Sequence, residues 1–219
     1  MIIGKPKAVI FDFDGTLAQT MEDTFQAWKV TMSDYGIDLQ PDDYYPLEGM
    51  NVYEVSRTLL RKYHKTPSDE KEVVQKKEKH NLENHRFLLY PGAEELLELL
   101  RSKQIPLAVV TAALRDRLQN TLPSGFLEKF DAVVTGDDTS AGKPSPLPYL
   151  KGAEKLGMKP EDCIAVENAP LGIQSAKKAG TYCIAVSSTV DKKYLNEADE
   201  VWDRLEDLKK SQKIKQLLQ

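Results

Sequence analysis

Cysteine is scarce in this chain of 219 residues: Cys163 and Cys183 are its only two. Each sits in a short apolar run with the look of a buried strand. The expectation is a pair of reduced core thiols, which excludes a disulfide scaffold and a thiolate metal site. Histidine is almost as rare, with His64, His80 and His85. His80 and His85 are five apart and do not share a helix face as residues four apart do, so all three read as surface residues and not as ligands. No sign of charge dominates. Thirty basic and 34 acidic residues leave a net charge of -4, which excludes the basic footprint of a nucleic-acid or anionic-membrane binder. No apolar run approaches membrane-spanning length. The first such run carries Asp12 and Asp14 inside it and does not resemble a signal peptide. These absences predict a cytoplasmic chain with neither a nucleic-acid nor a membrane partner.

What is present is ordinary for a soluble globular protein: 41% hydrophobic and 29% charged residues. The length suits one sizeable domain, or one domain with an insertion. After a first apolar strand at residues 8 to 11 the chain turns helical. Met21, Phe25, Trp28 and Met32 recur near the helical period, and Gly36 is placed to end that helix. Val52, Val55, Leu59, Leu60 and Tyr63 mark a second helix. A polar third follows over residues 68 to 86, with Ser68 as its N-cap and the run from Lys71 to Lys79 as a solvated face. From about residue 90 the grammar changes to short continuous apolar strands alternating with helices. Strands are expected at 107 to 111, 132 to 135, 163 to 166 and 181 to 186, and a Lys- and Leu-rich helix at the C-terminus. That alternation predicts an α/β fold, a Rossmann-like parallel sheet with helices on both faces. Residues 1–17 and 88–219 would form the catalytic core. Residues 18–87 would form an inserted helical cap over the C-terminal end of the first strand, where open parallel sheets bind ligands.

The densest signal is the segment Phe11-Asp12-Phe13-Asp14-Gly15-Thr16. Side chains two apart on a strand point to the same side. Two carboxylates leaving one strand end repel each other unless a cation or a proton intervenes. Metal-assisted phosphoryl transfer through an aspartyl phosphate needs such a pair. Asp12, ionised at neutral pH as an ordinary carboxylate, would be the nucleophile, and Asp14 the acid and base. Three later strand ends add Thr111 (followed by Ala112 and Ala113), Lys143 between Gly142 and Pro144, and Glu167-Asn168.

These four positions, in this order, resemble the haloacid dehalogenase superfamily of phosphohydrolases, whose signature begins D-x-D-G-T. The resemblance covers nearly the whole chain. The insertion point is similar to that of the β-phosphoglucomutase-like and phosphoglycolate phosphatase-like subgroup, which carries an α-helical cap. The resemblance implies Mg²⁺ as cofactor, held by Asp12, Asp14 (through its backbone carbonyl), Glu167 and Asn168. It implies that Thr111, Ala112 and Lys143 bind the phosphate, with the N–H groups after Thr111 at a helix N-terminus. It also places Glu48, Gly49 and Met50 where related proteins contact substrate. Asn168 departs from the pattern, in which Asp is usual, and offers a metal only a neutral amide oxygen.

The expected activity is therefore that of a Mg²⁺-dependent phosphatase acting on a small phosphorylated metabolite, a sugar phosphate or a phosphoglycolate-like acid. A sugar phosphomutase is the alternative. Such mutases typically carry a cap histidine ten residues past the second aspartate, and that position here is Thr24. A catalytically idle protein that binds a phosphorylated ligand is the alternative from another class, and Asn168 is the only feature in its favour.

Overall fold

Short apolar runs flanked by turn residues become strands here because both faces of each strand are covered. The structure, a computed structural model, describes residues 4–66 and 70–219. Among the described residues six strands form one sheet: β1 (Ala8–Phe11), β2 (Leu107–Val110), β3 (Ala132–Val134), β4 (Cys163–Glu167), β5 (Tyr182–Val186) and β6 (Glu200–Trp202). The order is β3-β2-β1-β4-β5-β6, and every pair is parallel. The chain moves outward on one side of β1, then crosses to β4 and moves outward on the other. The C-terminal ends of β1 and β4 therefore flank a topological switch point, the place where such sheets hold ligands.

Alternation along the strands supplies two cores. Val9 and Phe11 face one layer with Val109, Ile164 and Val166, covered by α5 (Ala93–Ser102), α6 (Arg115–Thr121) and α9 (Gln212–Leu218). Ala8 and Ile10 face the other with Val110 and Ala165, covered by α7 (Leu147–Lys155) and α8 (Pro170–Ala179). Four helices between β1 and α5 bury a third cluster that includes Phe25, Trp28, Tyr44, Val55 and Val73: α1 (Met21–Ser33), α2 (Pro41–Tyr44), α3 (Val52–Lys62) and α4 (Glu70–Asn84). The two chain crossings that join this helical unit to the sheet run side by side. Gln19 N–H donates to Leu88 O at 2.8 Å, Tyr90 N–H donates to Leu17 O at 2.9 Å, and Ala18 and Leu89 form an antiparallel bridge.

Several local expectations change. The C-terminal region holds the edge strand β6, a 3₁₀ turn over Leu205–Lys210 and the short α9, instead of one helix. A three-residue strand is too short to show a period, and its pairing with β5 decides its state. The segment after Gly36 gains the short α2, with Pro41 at its first position and Asp43 accepting from Gln40 N–H at 2.9 Å. Ser68 lies outside the described residues. The run from Lys71 to Lys79 is not wholly solvated: Lys77 is buried, its Nζ 3.0 Å from Glu78 Oε1 and 5.8 Å from the Trp28 ring centroid. His85 is half-buried, with its ring nitrogens against Leu82 O and Thr121 O. No helix among the described residues is long and apolar enough to cross a membrane.

Leu97 has no exposed surface and lies at the centre of the first core. Leu97→Ala is expected to cost about 2–5 kcal/mol, the range for a leucine cavity, with the urea m-value unchanged. A loss below about 1 kcal/mol in urea unfolding would contradict this packing.

Candidate active site

The ladder between β1 and β4 continues one residue past β1, where Asp12 N–H donates to Val166 O at 2.9 Å. The chain then turns: Phe13 O accepts from Leu17 and Ala18 N–H, both at 3.0 Å. Gly15 makes the turn possible. Its φ is +85°, and a Cβ there would meet Asn168 Nδ2 at 2.3 Å. The turn leaves Asp12 and Asp14 lining one pocket with Ala112, Asn168, Gly49 and Met50.

Lys143 organises the floor. It comes from the loop between β3 and α7 and is fully buried. Its Nζ lies 2.5 Å from Asp12 Oδ1 and 2.6 Å from Glu167 Oε1, with Val110 O at 3.5 Å. Glu167 is itself held on every side. Tyr149 Oη donates to Oε1 at 2.7 Å, and the N–H groups of Asn168 and Ala169, just ahead of α8, donate to Oε2 at 3.0 and 3.3 Å. Gly172 leaves the space for this carboxylate, since a Cβ there would sit 1.9 Å from Oε1. Burial works against the Lys143 charge, but Asp12 and Glu167 outweigh it and hold the ammonium above the usual lysine range. Burial pushes the Asp12 carboxyl up to about 7, against the pull of Lys143, and Glu167 adds to the rise. Desolvation thus works against the ionised form expected of Asp12. Asp12 Oδ2 is buried and has no hydrogen-bond partner among the described residues.

Asp14 has the opposite character. Burial alone would raise its pKa, but Arg117 pairs with Oδ2, Thr111 Oγ1 donates to Oδ2 at 3.1 Å and Thr20 Oγ1 donates to Oδ1 at 2.6 Å. Together they hold it below the usual carboxylate range. Ala113 N–H donates back to Thr111 Oγ1 at 3.0 Å, and α6 begins only at Arg115. A threonine hydroxyl bonding its own backbone competes with helix formation, so the helix starts two residues later than expected.

Asn168 accepts from Thr16 Oγ1 at 3.1 Å and donates through Nδ2 to Thr189 Oγ1 at 2.8 Å and Glu48 Oε2 at 3.2 Å. Glu48 therefore reaches Asn168 and Thr189 from the turn before α3, while its neighbours Gly49 and Met50 line the pocket. Burial pushes its carboxyl up to about 8, Thr189 and Asn168 pull down, and Asp12 and Glu167 add to the rise. Sequence reasoning missed Arg117, Lys77, Glu78, Thr20, Tyr149 and Thr189. Arg117 alone left a signal, since it lies four residues past Ala113 and therefore on the inward face if the turn is helical.

Replacing Lys143 with Met leaves Asp12 and Glu167 buried without their cation, at an expected cost of about 3–5 kcal/mol near pH 7.5. Unpaired buried carboxylates have folded pKa values above their unfolded ones, so their contribution is present at low pH and lost as pH rises through the folded values. The deficit relative to wild type is expected to shrink as pH falls toward about 4. Urea unfolding in chelator at both pH values measures it, and an equal deficit at both would remove charge pairing as the cause.

Comparison with known proteins places the chain in a family. Residues 9–186 match the family of haloacid dehalogenase-like hydrolases. Hexitol phosphatase A of Escherichia coli (strain K12) is 31% identical, over 92% of this chain and 93% of that protein. Phosphoglycolate phosphatase of Aquifex aeolicus (strain VF5) is 36% identical, over 80% of this chain and 82% of that protein. The crystal structure of CbbY from Rhodobacter sphaeroides in complex with phosphate superposes with a TM-score of 0.79 at 27% identity, covering 93% of this chain and 96% of that one.

Proposed function

The chain belongs to the haloacid dehalogenase-like hydrolases and is a phosphoric monoester hydrolase; we propose that it dephosphorylates a small sugar or polyol phosphate through an aspartyl phosphate on Asp12, with Mg²⁺ as cofactor. The observation that carries this reading is the state of Asp12: one oxygen held by Lys143, the other buried, unpartnered and beside Asp14. Asp12 attacks phosphorus, and the bond from phosphorus to the substrate oxygen breaks. Asp14 gives that oxygen a proton. Asp14 then takes a proton from the water that attacks the aspartyl phosphate, which releases phosphate and restores Asp12. Lys143 keeps Asp12 in place and offsets the negative charge that gathers on the phosphoryl oxygens.

The residues fit Mg²⁺. Asp12, Asp14 and Asn168 line the pocket and offer hard oxygens, and Mg²⁺ takes one or two carboxylates and completes its shell with water and phosphate. Among the described residues no three His, Cys, Asp or Glu side chains form a ready cage. Asp12, the Asp14 carbonyl and the Asn168 amide oxygen would hold the ion. When bound it supplies positive charge to the phosphoryl group. Glu167, with both oxygens engaged, acts through Lys143 as a positioning residue.

Two features favour a hydroxylated substrate over a carboxylated one. The pocket beyond Asp14 is lined by Trp28, Tyr44, Lys77, Glu78 and Arg117. Lys77 is already paired with Glu78, and Arg117 with Asp14. Among the described residues two buried atoms of this lining lack a hydrogen-bond partner, the donor Arg117 Nε and the acceptor Glu78 Oε2. A hydroxyl can serve both, whereas a second anion would have to compete with Glu78 and Asp14 for Lys77 and Arg117. Thr24, where mutases carry histidine, instead accepts from Asn81 Nδ2 at 3.3 Å, and the mutase reading loses its acid and base there.

Phosphate release is expected from hexitol and hexose phosphates in the presence of Mg²⁺, with kcat/KM above that for phosphoglycolate. Asp12→Asn is expected to abolish it. Turnover by Asp12→Asn removes the covalent route, and preference for phosphoglycolate removes the polyol assignment. Arg117 is the main group that lowers the Asp14 pKa, and Asp14 must carry a proton for the first step. Arg117→Met is therefore expected to move the alkaline limb of kcat/KM to higher pH, read from initial rates across a pH series. An unmoved limb would assign that limb to another group.

A further inference from the structure

Glu48 is placed more tightly than a substrate-contact residue requires. Its side chain is 3% exposed. Oε2 accepts from Thr189 Oγ1 at 2.9 Å and from Asn168 Nδ2 at 3.2 Å, while Oε1 is buried without any partner. The turn that carries it is fixed to the sheet-bearing part of the chain on its far side, where Asn51 Nδ2 donates to Gly136 O at 3.1 Å. Asn51 also caps α3, accepting from Tyr53 N–H at 3.0 Å. The loop that bears Glu48 is thus anchored to the helical unit and to the sheet at once.

The charges around it do not balance. Asp12, Glu167 and Glu48 are three buried carboxylates, and the one ammonium among them is that of Lys143. Arg117 is committed to Asp14. An arrangement with all three ionised carries two excess negative charges, which is the charge of one divalent cation. Two carboxylate oxygens in this site lack a hydrogen-bond donor, Asp12 Oδ2 and Glu48 Oε1. Buried oxygens of this kind are costly unless a proton or a metal takes them. Asn168, which contacts Glu48 directly, brings no charge of its own.

We propose that Glu48 is a metal-holding carboxylate, delivered to the site by the loop before α3, and that it supplies the anionic ligand which Asn168 cannot. The assignment rests on the Mg²⁺ reading above and adds to it a ligand from the helical unit. It makes metal holding depend on that loop being docked: when the loop leaves the sheet, a ligand leaves with it. A plain latch, in which Glu48 is a protonated acid that only bridges to Asn168 and Thr189, is the competing account. It needs the hydrogen bonds and not the charge.

The two accounts part on Glu48→Gln, which keeps the size and removes the charge. Mn²⁺ binding to the full chain is read by electron paramagnetic resonance, with Mg²⁺ as competitor and no substrate present. The expected result is at least a tenfold loss of affinity in Glu48→Gln, at or above the loss seen when outer ligand partners are removed. Glu48→Gln combined with Asn168→Asp should recover most of it, because the charge returns at the neighbouring position. Unchanged Mn²⁺ affinity in Glu48→Gln overturns the role of Glu48 and leaves the Mg²⁺ reading standing. A wild-type chain that binds neither ion overturns both. Circular dichroism in chelator checks the fold of each variant. Diffraction from wild-type crystals soaked in Mn²⁺ needs no variant: a Glu48 oxygen at coordination distance supports the assignment, and Glu48 outside the metal's shell rejects it.

Discussion

Lys143 carries a single buried positive charge between Asp12 and Glu167, and most of the candidate site is arranged around keeping it there. An ammonium with almost no exposed surface is costly unless its donors are used. Here two carboxylates use them at close range. Glu167 can do so because Tyr149 and two backbone N–H groups orient it, and because Gly172 leaves room for its oxygens. Asp12 is then the variable partner. One oxygen stays with Lys143, burial keeps its proton affinity high, and the other oxygen meets the pocket. Under the proposed mechanism the side chain is held at one end by Lys143 and left unpartnered at the other, where the phosphoryl group would meet it.

The two carboxylates of the first motif share a turn but not an environment. Asp12 lies against Lys143 under strong desolvation, whereas Asp14 gathers Arg117, Thr20 and Thr111. Their proton affinities are driven apart in opposite directions. That divergence makes Asp14 the more readily ionised of the two, so the proposed roles rest on where the two side chains sit and not on their proton affinities. Arg117, paired with Asp14, favours the ionised form of that carboxyl.

Much of this was legible in the residues. Apolar runs such as Val9-Ile10-Phe11 and Ile164-Ala165-Val166 announce strands covered on both faces, and the sheet contains them. Thr111, Lys143 and Glu167 were visible because each follows such a run or its loop, where a parallel sheet collects reactive groups. Depth was not legible. Lys77 sits in a charged helical run that reads as solvated, and both it and Arg117 are buried where α4 packs against α1 and α6 over the pocket. The direction of Glu48 was hidden for a related reason. It depends on how the turn before α3 docks on the sheet, and no periodicity encodes a docking geometry. β6 escaped notice because three residues cannot display a period.

The paired crossings at Gln19–Leu88 and Tyr90–Leu17 bear on how the helical unit can move. Two strands joined by backbone hydrogen bonds resist being twisted about each other, yet they bend readily across their shared width. Two independent linkers would leave the unit free to swivel; a coupled pair confines it to a single flexing direction. Were the helical unit to move, so restricted a path would return the same side chains to the same positions, and the paired crossings would set that path.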